Sequence, residues 1–305
     1  MIDKDIVIAI LARDCEKSLR ENIKLVEELR SYFIWSEVVV VENDSKDNTK
    51  SLLFDWEQNK LGVKIISQNY NSLTIPNKTS NNIKPLVSFF RIEKMAKYRN
   101  IYIDYIRKID HNIDNLIVID IDVESFSVEG VVDSVLRCDK KCGAVFAYGI
   151  TVKRIFNKVY SKIFYDIFAV QEFSMENIPM FKSENSRNVL RSITTNLKTE
   201  GVLYEVISAF GGIAVYNYKA IRDLKYKVVL NSFDKNEAIC EHIPFNTEIV
   251  NLGYNNFISK KMEVIYGKHS FAEIIKYNIP KRIFSILFRM VQNIKRRYPQ
   301  KFYLN

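Results

Sequence analysis

Three short runs of aliphatic and β-branched residues constrain the fold of this chain more than any other feature. They cover residues 6–11, 38–41 and 116–119. Uninterrupted apolar runs of this length are typical of strands buried on both faces of a parallel sheet. Helical patterns separate the runs and cover residues 18–32, 49–59 and 91–109. Two further strands are predicted at residues 63–66 and 144–148. The alternation predicts an α/β fold with a mainly parallel, Rossmann-like central sheet.

The composition fits one catalytic domain with a tail. The chain has 305 residues, 47% of them hydrophobic, which is enough for a large buried core. With 27% charged and 12% aromatic residues, general disorder is excluded. We expect no signal peptide, because residues 1–5 carry acids, and no bilayer span, because no apolar run approaches about 20 residues. The four scattered cysteines favour a reducing, cytoplasmic location.

The net charge of +9 is concentrated at the C-terminal end. Residues 260–305 contain 11 basic and 2 acidic residues, whereas the other 259 residues contain 34 of each. We therefore divide the chain into a domain at residues 1–259 and a basic extension at 260–305. Two polar segments are expected within the domain, a surface loop at residues 67–84 and a mobile lid at 174–200.

The basic extension contains an amphipathic pattern at residues 279–298. On a helix, its apolar stripe is flanked by positive charge, which is the pattern of a helix lying on an anionic membrane surface. The alternative is an ordinary amphipathic helix packed on the domain or on a second subunit. The first interpretation predicts peripheral contact with the inner face of the plasma membrane.

The first candidate site is the pair Asp120 and Asp122, at the predicted end of the strand at 116–119. Open α/β sheets bind their ligands at the carboxyl ends of the strands. Two carboxylates there suit Mn²⁺ or Mg²⁺, which in turn hold a diphosphate. The alternative is an acidic strand end that caps the next helix and faces water.

Two further segments supply candidate nucleotide-binding residues. The turn VENDSKDNT at residues 41–49 places Glu42 and Asp44 after a buried strand, where they could bind a base or ribose. The same turn offers Ser45 or Asp47 as caps of the following helix. Arg99, in the helical segment RIEKMAKYRN, could contact a phosphate, or could belong to a solvated basic face.

The remaining candidates lie later in the chain. The adjacent glycines Gly211 and Gly212 permit close approach of the backbone to a ligand, or a strained turn. Glu241 could take a proton from an acceptor hydroxyl, and its neighbour His242 could ligate a metal. His269 is an equal candidate for metal ligation.

In order, these segments resemble a GT-A glycosyltransferase. VENDSKDNT is similar to the nucleotide-binding turn of inverting GT-A enzymes, and a strand-end D-x-D follows it. The order of RIEKMAKYRN, the pair Tyr165-Asp166, SAFGGIAVYN and CEHIPFN resembles the fungal capsule-associated mannosyltransferase family and its bacterial relatives. The resemblance covers roughly residues 5–250.

The resemblance implies a metal-dependent hexosyltransferase that uses a nucleotide-sugar donor, Mn²⁺ or Mg²⁺, and a saccharide or lipid-linked glycan acceptor, in the synthesis of surface polysaccharide. The implied nucleotide contacts are Glu42, Asp44, Arg99 and Asp120, and the implied metal ligand is Asp122. Asp166 and the Gly211–Gly212 turn would border the sugar and the acceptor. Glu241 would be the base of an inverting enzyme, although Glu241-His242 departs from the usual Glu-Asp pair.

Two other functions compete with glycosyl transfer. A sugar-1-phosphate nucleotidylyltransferase has a similar sheet, but it needs a glycine-rich loop where this chain has Leu11-Ala-Arg-Asp-Cys15. A nucleic-acid-binding protein could use the basic extension. We expect no nucleic-acid partner, because the other 259 residues are neutral and contain no nucleic-acid-binding motif.

Overall fold

The computed structural model describes most of the chain up to Gly267. The described residues are 1–73, 75–76, 85–156, 159–173, 193, 195–197, 203–231 and 237–267. The predicted helix at 279–298, His269, and most of the predicted loop at 67–84 and lid at 174–200 lie outside them. No helix in the described part has the length and apolarity that a membrane span requires.

Strands and helices alternate through the first half of the chain, as the apolar runs predict. The strands are β1 (Ile2–Ala12), β2 (Phe33–Asn43), β3 (Val63–Gln68), β4 (Asn115–Asp120), β5 (Ser125–Phe126), β6 (Cys142–Phe156), β7 (Val159–Phe164), β8 (Leu203–Val206), β9 (Ile213–Asn217) and β10 (Asn255–Tyr266). The helices are α1 (Glu16–Ser31), α2 (Thr49–Asn59), α3 (Phe89–Ile106), α4 (Val128–Arg137), α5 (Tyr218–Ile221) and α6 (His242–Asn251). Each strand and helix predicted within residues 1–148 overlaps one of these elements.

The strands form one mixed sheet in the order β3-β2-β1-β4-β9-β6-β10-β5, with β7 pairing with β6 and β8 with β10. The four strands from β3 to β4 are parallel neighbours. β9 lies antiparallel between β4 and β6, and β10 runs parallel to β6. The predicted α/β fold with a mainly parallel sheet is confirmed, but β9 was not among the predicted strands.

Both faces of the sheet are covered, which explains the uninterrupted apolar runs. Ile6, Ile8 and Ile10 of β1 pack in a core with residues of α1, α2 and α4. Val7 and Ala9, which alternate with them, pack in a second core with residues of α3 and α6. A strand with a core on each side cannot show the polar alternation of a half-exposed strand.

The last described strand crosses the predicted domain boundary. β10 continues to Tyr266, so residues 260–266 belong to the sheet rather than to a separate extension. Met1–Thr151 and Phe164–Gly267 form one compact unit, which contains all the described site residues. Residues 152–163 belong to a second unit and are described only as parts of β6 and β7. The division into domain and extension stays a prediction.

Candidate active site

Two of the predicted site residues lie at the carboxyl ends of parallel strands. Asp120 is the last residue of β4, and Glu42 is the penultimate residue of β2. In the strand register, Ala12 lies opposite Glu42 and Leu11 lies opposite Asp120. Because β1 lies between β2 and β4, the loops that follow these strands share one end of the sheet.

The loops after β1 and β2 are held together by side chains that bond to each other's backbone. Lys46 N donates to Asp14 Oδ1 at 2.7 Å, and Asp14 N donates to Ser45 Oγ at 3.2 Å. Asp47 accepts from Glu16 N at 3.0 Å and from Thr49 N at 3.0 Å. Of the two predicted caps, Asp47 therefore bonds to the first turn of α2, whereas Ser45 bonds to the neighbouring loop.

Glu42 is buried, and its carboxylate is bonded to other groups of the protein. Its side chain is fully buried, and it accepts from Ser45 N at 2.9 Å and from the Ser67 hydroxyl. Lys50 Nζ lies 3.7 Å from Glu42 Oε2. These contacts connect the end of β2 to β3 and α2, and the predicted contact of Glu42 with a nucleoside stays a prediction.

Asp44 borders an open pocket of about 390 Å³. Its Oδ1 accepts from Asn71 N at 2.8 Å, and Arg13 Nη1 lies 3.9 Å from its Oδ2. Burial acts to raise the pKa of Asp44, but hydrogen bonds from Asn43 and Asn71 and the charge of Arg13 together lower it below its usual value. The pocket is lined by Arg13, Asp44, Ser45, Lys46, Asn69, Asn71, Ser72 and Leu73.

Asp120 and Asp122 lie on one tight turn after β4. The side chains of Ile121 and Val123 are fully buried, whereas Asp122 between them is exposed. The hydroxyl of Tyr266 hydrogen-bonds to Asp122, and the Tyr266 ring stacks on Tyr165 with centroids 4.1 Å apart. Burial and the charge of Asp122 raise the pKa of Asp120 well above its usual range, against the effect of Arg99.

Arg99 is a buried residue rather than part of a solvated basic face. Its residue exposure is 3%, and its Nε donates to Glu241 Oε1 at 3.0 Å. Its Nη2 lies 4.0 Å from Asp120 Oδ1. The guanidinium lies over the rings of Phe210 and Tyr226, 5.3 and 5.6 Å from their centroids. Glu241 is 3% exposed as well, so this ion pair is closed to solvent.

Asp166 combines a left-handed backbone conformation with a raised pKa. Its φ of 63° lies in the left-handed region, which few residues other than glycine, asparagine and aspartate adopt. Burial and the nearby charge of Glu241 raise the pKa of Asp166 to about 7, although Arg99 and Arg91 oppose the shift. A carboxyl group with this pKa can accept or donate a proton near neutral pH.

The glycine pair forms the turn that precedes β9. Gly211 and Gly212 have φ values of 64° and 96°. A Cβ on Gly211 would lie 2.3 Å from the carbonyl oxygen of Ala147, so only glycine fits there. Asp120 N donates to Gly212 O at 2.9 Å, and the turn therefore supports the end of β4. Contact of these glycines with a ligand stays a prediction.

His242 is a buried neutral imidazole. Its ring is 2% exposed and stacks on Phe210 at 4.1 Å, and neither ring nitrogen has a hydrogen-bond partner among the described residues. Burial and then the charge of Arg99 lower the pKa of His242 well below its usual value. The described residues contain no group of three or more His, Cys, Asp and Glu that could hold a metal ion. Metal ligation by His242 and by His269 stays a prediction.

Three aromatic residues of the site had no counterpart among the sequence candidates. They are Phe210, Tyr226 and Tyr266. Phe210 immediately precedes the glycine pair, which is a usable signal. Tyr226 lies in an irregular segment after α5, and Tyr266 ends a strand that periodicity did not identify. Their contact with Arg99, Asp122 or Tyr165 depends on tertiary packing, which no local pattern shows.

Comparison with known proteins gives one strong match to a family. The family described as Cryptococcal mannosyltransferase 1 matches residues 5–246, which include every described site residue except Tyr266. No curated protein matches the chain significantly.

Several solved structures are similar to the chain at low sequence identity. TarS 1-349 of S. aureus is 13% identical, with a TM-score of 0.47, and the match covers 86% of this chain and 60% of TarS 1-349. The mannosyltransferase PcManGT from Pyrobaculum calidifontis, in complex with GDP-Man and Mn²⁺, is 13% identical, with a TM-score of 0.49 and coverage of 89% and 59%. Glucosyl-3-phosphoglycerate synthase from Mycobacterium tuberculosis, with Mn²⁺, UDP and phosphoglyceric acid, is 12% identical, with a TM-score of 0.46 and coverage of 89% and 73%. The chain thus spans about three fifths of the first two.

Proposed function

Because the chain belongs to the Cryptococcal mannosyltransferase 1 family, we propose that it transfers a sugar from a nucleotide-sugar donor to a saccharide or lipid-linked glycan acceptor. The family match over residues 5–246 is the observation that carries this proposal, and it favours neither a nucleotidylyltransferase nor a nucleic-acid-binding protein. The class of product that we propose is a surface polysaccharide or glycan.

The donor would lie along the carboxyl edge of the sheet. The open pocket beside Asp44 would hold the nucleoside, with Arg13 and Asn71 at its wall. From there the diphosphate would extend toward the turn that carries Asp120 and Asp122. The loops on this path are tied to each other through Asp14, Lys46 and Ser45, which supports a pocket that exists before the donor binds.

A divalent cation, Mn²⁺ or Mg²⁺, would be held by Asp120 and Asp122. The chemistry of these donors fits, because such cations prefer carboxylate oxygen and are bound by one or two carboxylates together with substrate phosphates. Burial and the charge of Asp122 raise the pKa of Asp120 although Arg99 opposes the shift, which supports a place for a cation beside the two acids. When bound, the cation would stabilise the negative charge that grows on the departing diphosphate.

For proton transfer from an acceptor hydroxyl, the contacts favour Asp166 over Glu241. Oε1 of Glu241 is occupied by Arg99, and its Oε2 lies 3.7 Å from the Cys240 thiol, in a side chain closed to solvent. Asp166 is only half-buried and has a pKa of about 7, raised by burial and by Glu241. We therefore assign Glu241 to the buried ion pair and propose that Asp166 accepts the proton of the acceptor hydroxyl.

The decisive experiment replaces Asp122 by asparagine and measures sugar transfer and donor hydrolysis with GDP- and UDP-sugars in Mn²⁺. We expect activity to fall by at least about 100-fold, because the variant loses a ligand charge at the diphosphate. Glu124→Gln, an exposed acid two residues away, is the matched control and should retain activity. Full activity of Asp122→Asn, or of wild type in EDTA, would contradict the cation site.

We further propose that the residues beyond Gly267 bring the enzyme to an anionic membrane surface. They contain nine basic residues and one acid, Glu273, which supports electrostatic attraction to the cytoplasmic leaflet. Flotation with vesicles that contain anionic lipid should recover the full chain and leave a chain ending at Gly267 in solution. Equal recovery of both chains would refute membrane attachment through this segment.

A further inference from the structure

Asn22 is a polar residue on the apolar face of a helix. In α1 it lies three residues after Leu19 and four before Val26, and all three side chains are fully buried. Burying an amide is costly unless its groups are hydrogen-bonded. Asn22 Nδ2 satisfies this requirement by donating to two backbone carbonyls of one turn, Ile121 O at 2.8 Å and Val123 O at 2.7 Å.

These two carbonyls flank Asp122. The side chains of Ile121 and Val123 lie in the core, and Asp122 between them is exposed. The hydroxyl of Ser18, also in α1, lies between two carbonyl oxygens, 3.2 Å from Cys15 O and 3.3 Å from Ile121 O, and can donate to either. The turn is therefore fixed to a 16-residue helix through the carbonyl of the residue before the acid and the carbonyl of the residue after it.

From this contact we propose that Asn22 is a positioning residue, which fixes the orientation of Asp122 toward the diphosphate-bound cation. The proposal rests on the function proposed above. Asn22 does not touch substrate, and it acts through the backbone on either side of the carboxylate. Outer residues that orient a metal ligand in this way usually affect metal affinity by about 10- to 100-fold.

The chemistry of the amide supports donation as its role. The amide NH₂ carries two hydrogens, so Nδ2 can donate to both carbonyls at once without bringing a charge into the core. The other end of the amide, Oδ1, has no hydrogen-bond partner among the described residues. An aspartate in this position would set a carboxylate against two carbonyls, and a leucine would fill the space without donating.

Asn115 provides a matched control from the opposite end of β4. It is fully buried, its Nδ2 donates to Cys138 O at 3.3 Å and Tyr216 O at 3.2 Å, and its Oδ1 lacks a partner in the described part of the chain. Replacing Asn115 by leucine therefore removes the same type of contact, but from the first residue of the strand rather than from the turn after its last.

The test measures the Kd for Mn²⁺ by electron paramagnetic resonance, in the presence of GDP or UDP, whichever raises the Tm of the wild-type chain. We expect similar losses of Tm for Asn22→Leu and Asn115→Leu. The Kd should rise about tenfold or more in Asn22→Leu and by less than about twofold in Asn115→Leu. Ser18→Ala, a milder change at the same carbonyl, should raise the Kd about two- to threefold and remain folded.

Three outcomes separate the positioning role of Asn22 from the cation site on which it depends. Equal Kd values in the Asn22 and Asn115 variants, with wild type binding Mn²⁺, would overturn the positioning role and leave the proposed function intact. If Asn22→Leu does not fold, Asn22→Ala replaces it, and an unchanged Kd in that variant overturns the role in the same way. Absence of Mn²⁺ binding in the wild-type chain overturns the cation site, and the positioning role with it.

Discussion

The pocket beside Asp44 and the cluster around Arg99 lie in one compact unit but are stabilised in different ways. In the pocket, side chains of one loop bond to the backbone of the neighbouring loop. Asp44 has a lowered pKa because its hydrogen bonds outweigh the effect of burial. In the cluster, charged groups are closed to solvent, and Arg99 Nη1 and both nitrogens of His242 have no hydrogen-bond partner among the described residues. The pocket is open to solvent, whereas the cluster keeps its charged groups inside the protein.

The largest expected effect comes from breaking the buried ion pair. Arg99→Met leaves the carboxylate of Glu241 buried without its cation, and we expect a loss of about 3–5 kcal/mol in the free energy of unfolding. The double variant Arg99→Met with Glu241→Met removes both charges and should recover most of that loss. Urea denaturation of the three chains measures the difference.

A matched control tests whether burial is the cause. Arg137 pairs with Asp133 at 2.6 Å on the surface of α4, with 41% of the arginine side chain exposed. The same substitution there, Arg137→Met, should cost less than about 1 kcal/mol. Equal losses of stability at Arg99 and Arg137 would show that burial does not cause the larger effect expected at Arg99.

The residues at the strand ends could be predicted from the sequence, whereas the buried cluster could not. The runs at residues 38–41 and 116–119 identify buried strands, because a strand covered on both faces shows continuous apolar character. The loops after those strands follow directly, so Asp44 and Asp120 could be assigned to one edge of the sheet. Arg99 and Glu241, by contrast, are 142 residues apart and meet through packing alone.

The strands β9 and β10 could not be predicted for the same reason. β9 and β10 carry mixed patterns, and β10 was divided by a boundary drawn on charge, because Lys260 and Lys261 begin the excess of basic residues. Lys261 in fact lies 2.9 Å from Asp133 on α4. β10 therefore continues past the position at which the charge of the sequence changes, because strand pairing does not follow charge.

An intermediate effect is expected from the pH dependence of Asp166. In an unfolded chain an aspartate has a pKa of about 3.9, whereas burial and Glu241 raise the pKa of Asp166 to about 7 in the folded protein. The folded state therefore binds more protons between these values, and its stability falls as the pH rises from about 4 to about 7. Relative to Asp166→Asn, wild type should lose on the order of 2 kcal/mol over this range.

Asparagine is the appropriate replacement because it tolerates the left-handed backbone at this position. Thermal and urea unfolding at pH 5 and pH 8 measure the effect. Asp223→Asn, a change at a side chain that is 85% exposed, should differ from wild type by less than about 0.5 kcal/mol at both pH values. A difference between wild type and Asp166→Asn that does not vary with pH would contradict the assignment of the proton to Asp166.

The smallest expected effect on stability lies in the pocket. Asp44→Asn keeps a residue that accepts a φ of 53° but removes the charge that holds Arg13 and the Asn71 amide. We expect a loss of about 1 kcal/mol in stability and a rise of about tenfold in the KM for the donor, with kcat nearly unchanged. Steady-state kinetics with the preferred nucleotide sugar separate the two constants.

Asp47→Asn is the matched control for Asp44→Asn. Asp47 belongs to the same turn, also has a lowered pKa because hydrogen bonds from Thr49 and Glu16 outweigh its burial, and does not line the pocket. Its replacement should cost a similar amount of stability and leave the KM for the donor unchanged. If both variants raise the KM equally, the turn acts as one structural unit and Asp44 has no separate role in binding. A rise in Asp44→Asn alone means that the pocket recognises the donor through this carboxylate, independently of the buried charges around Arg99.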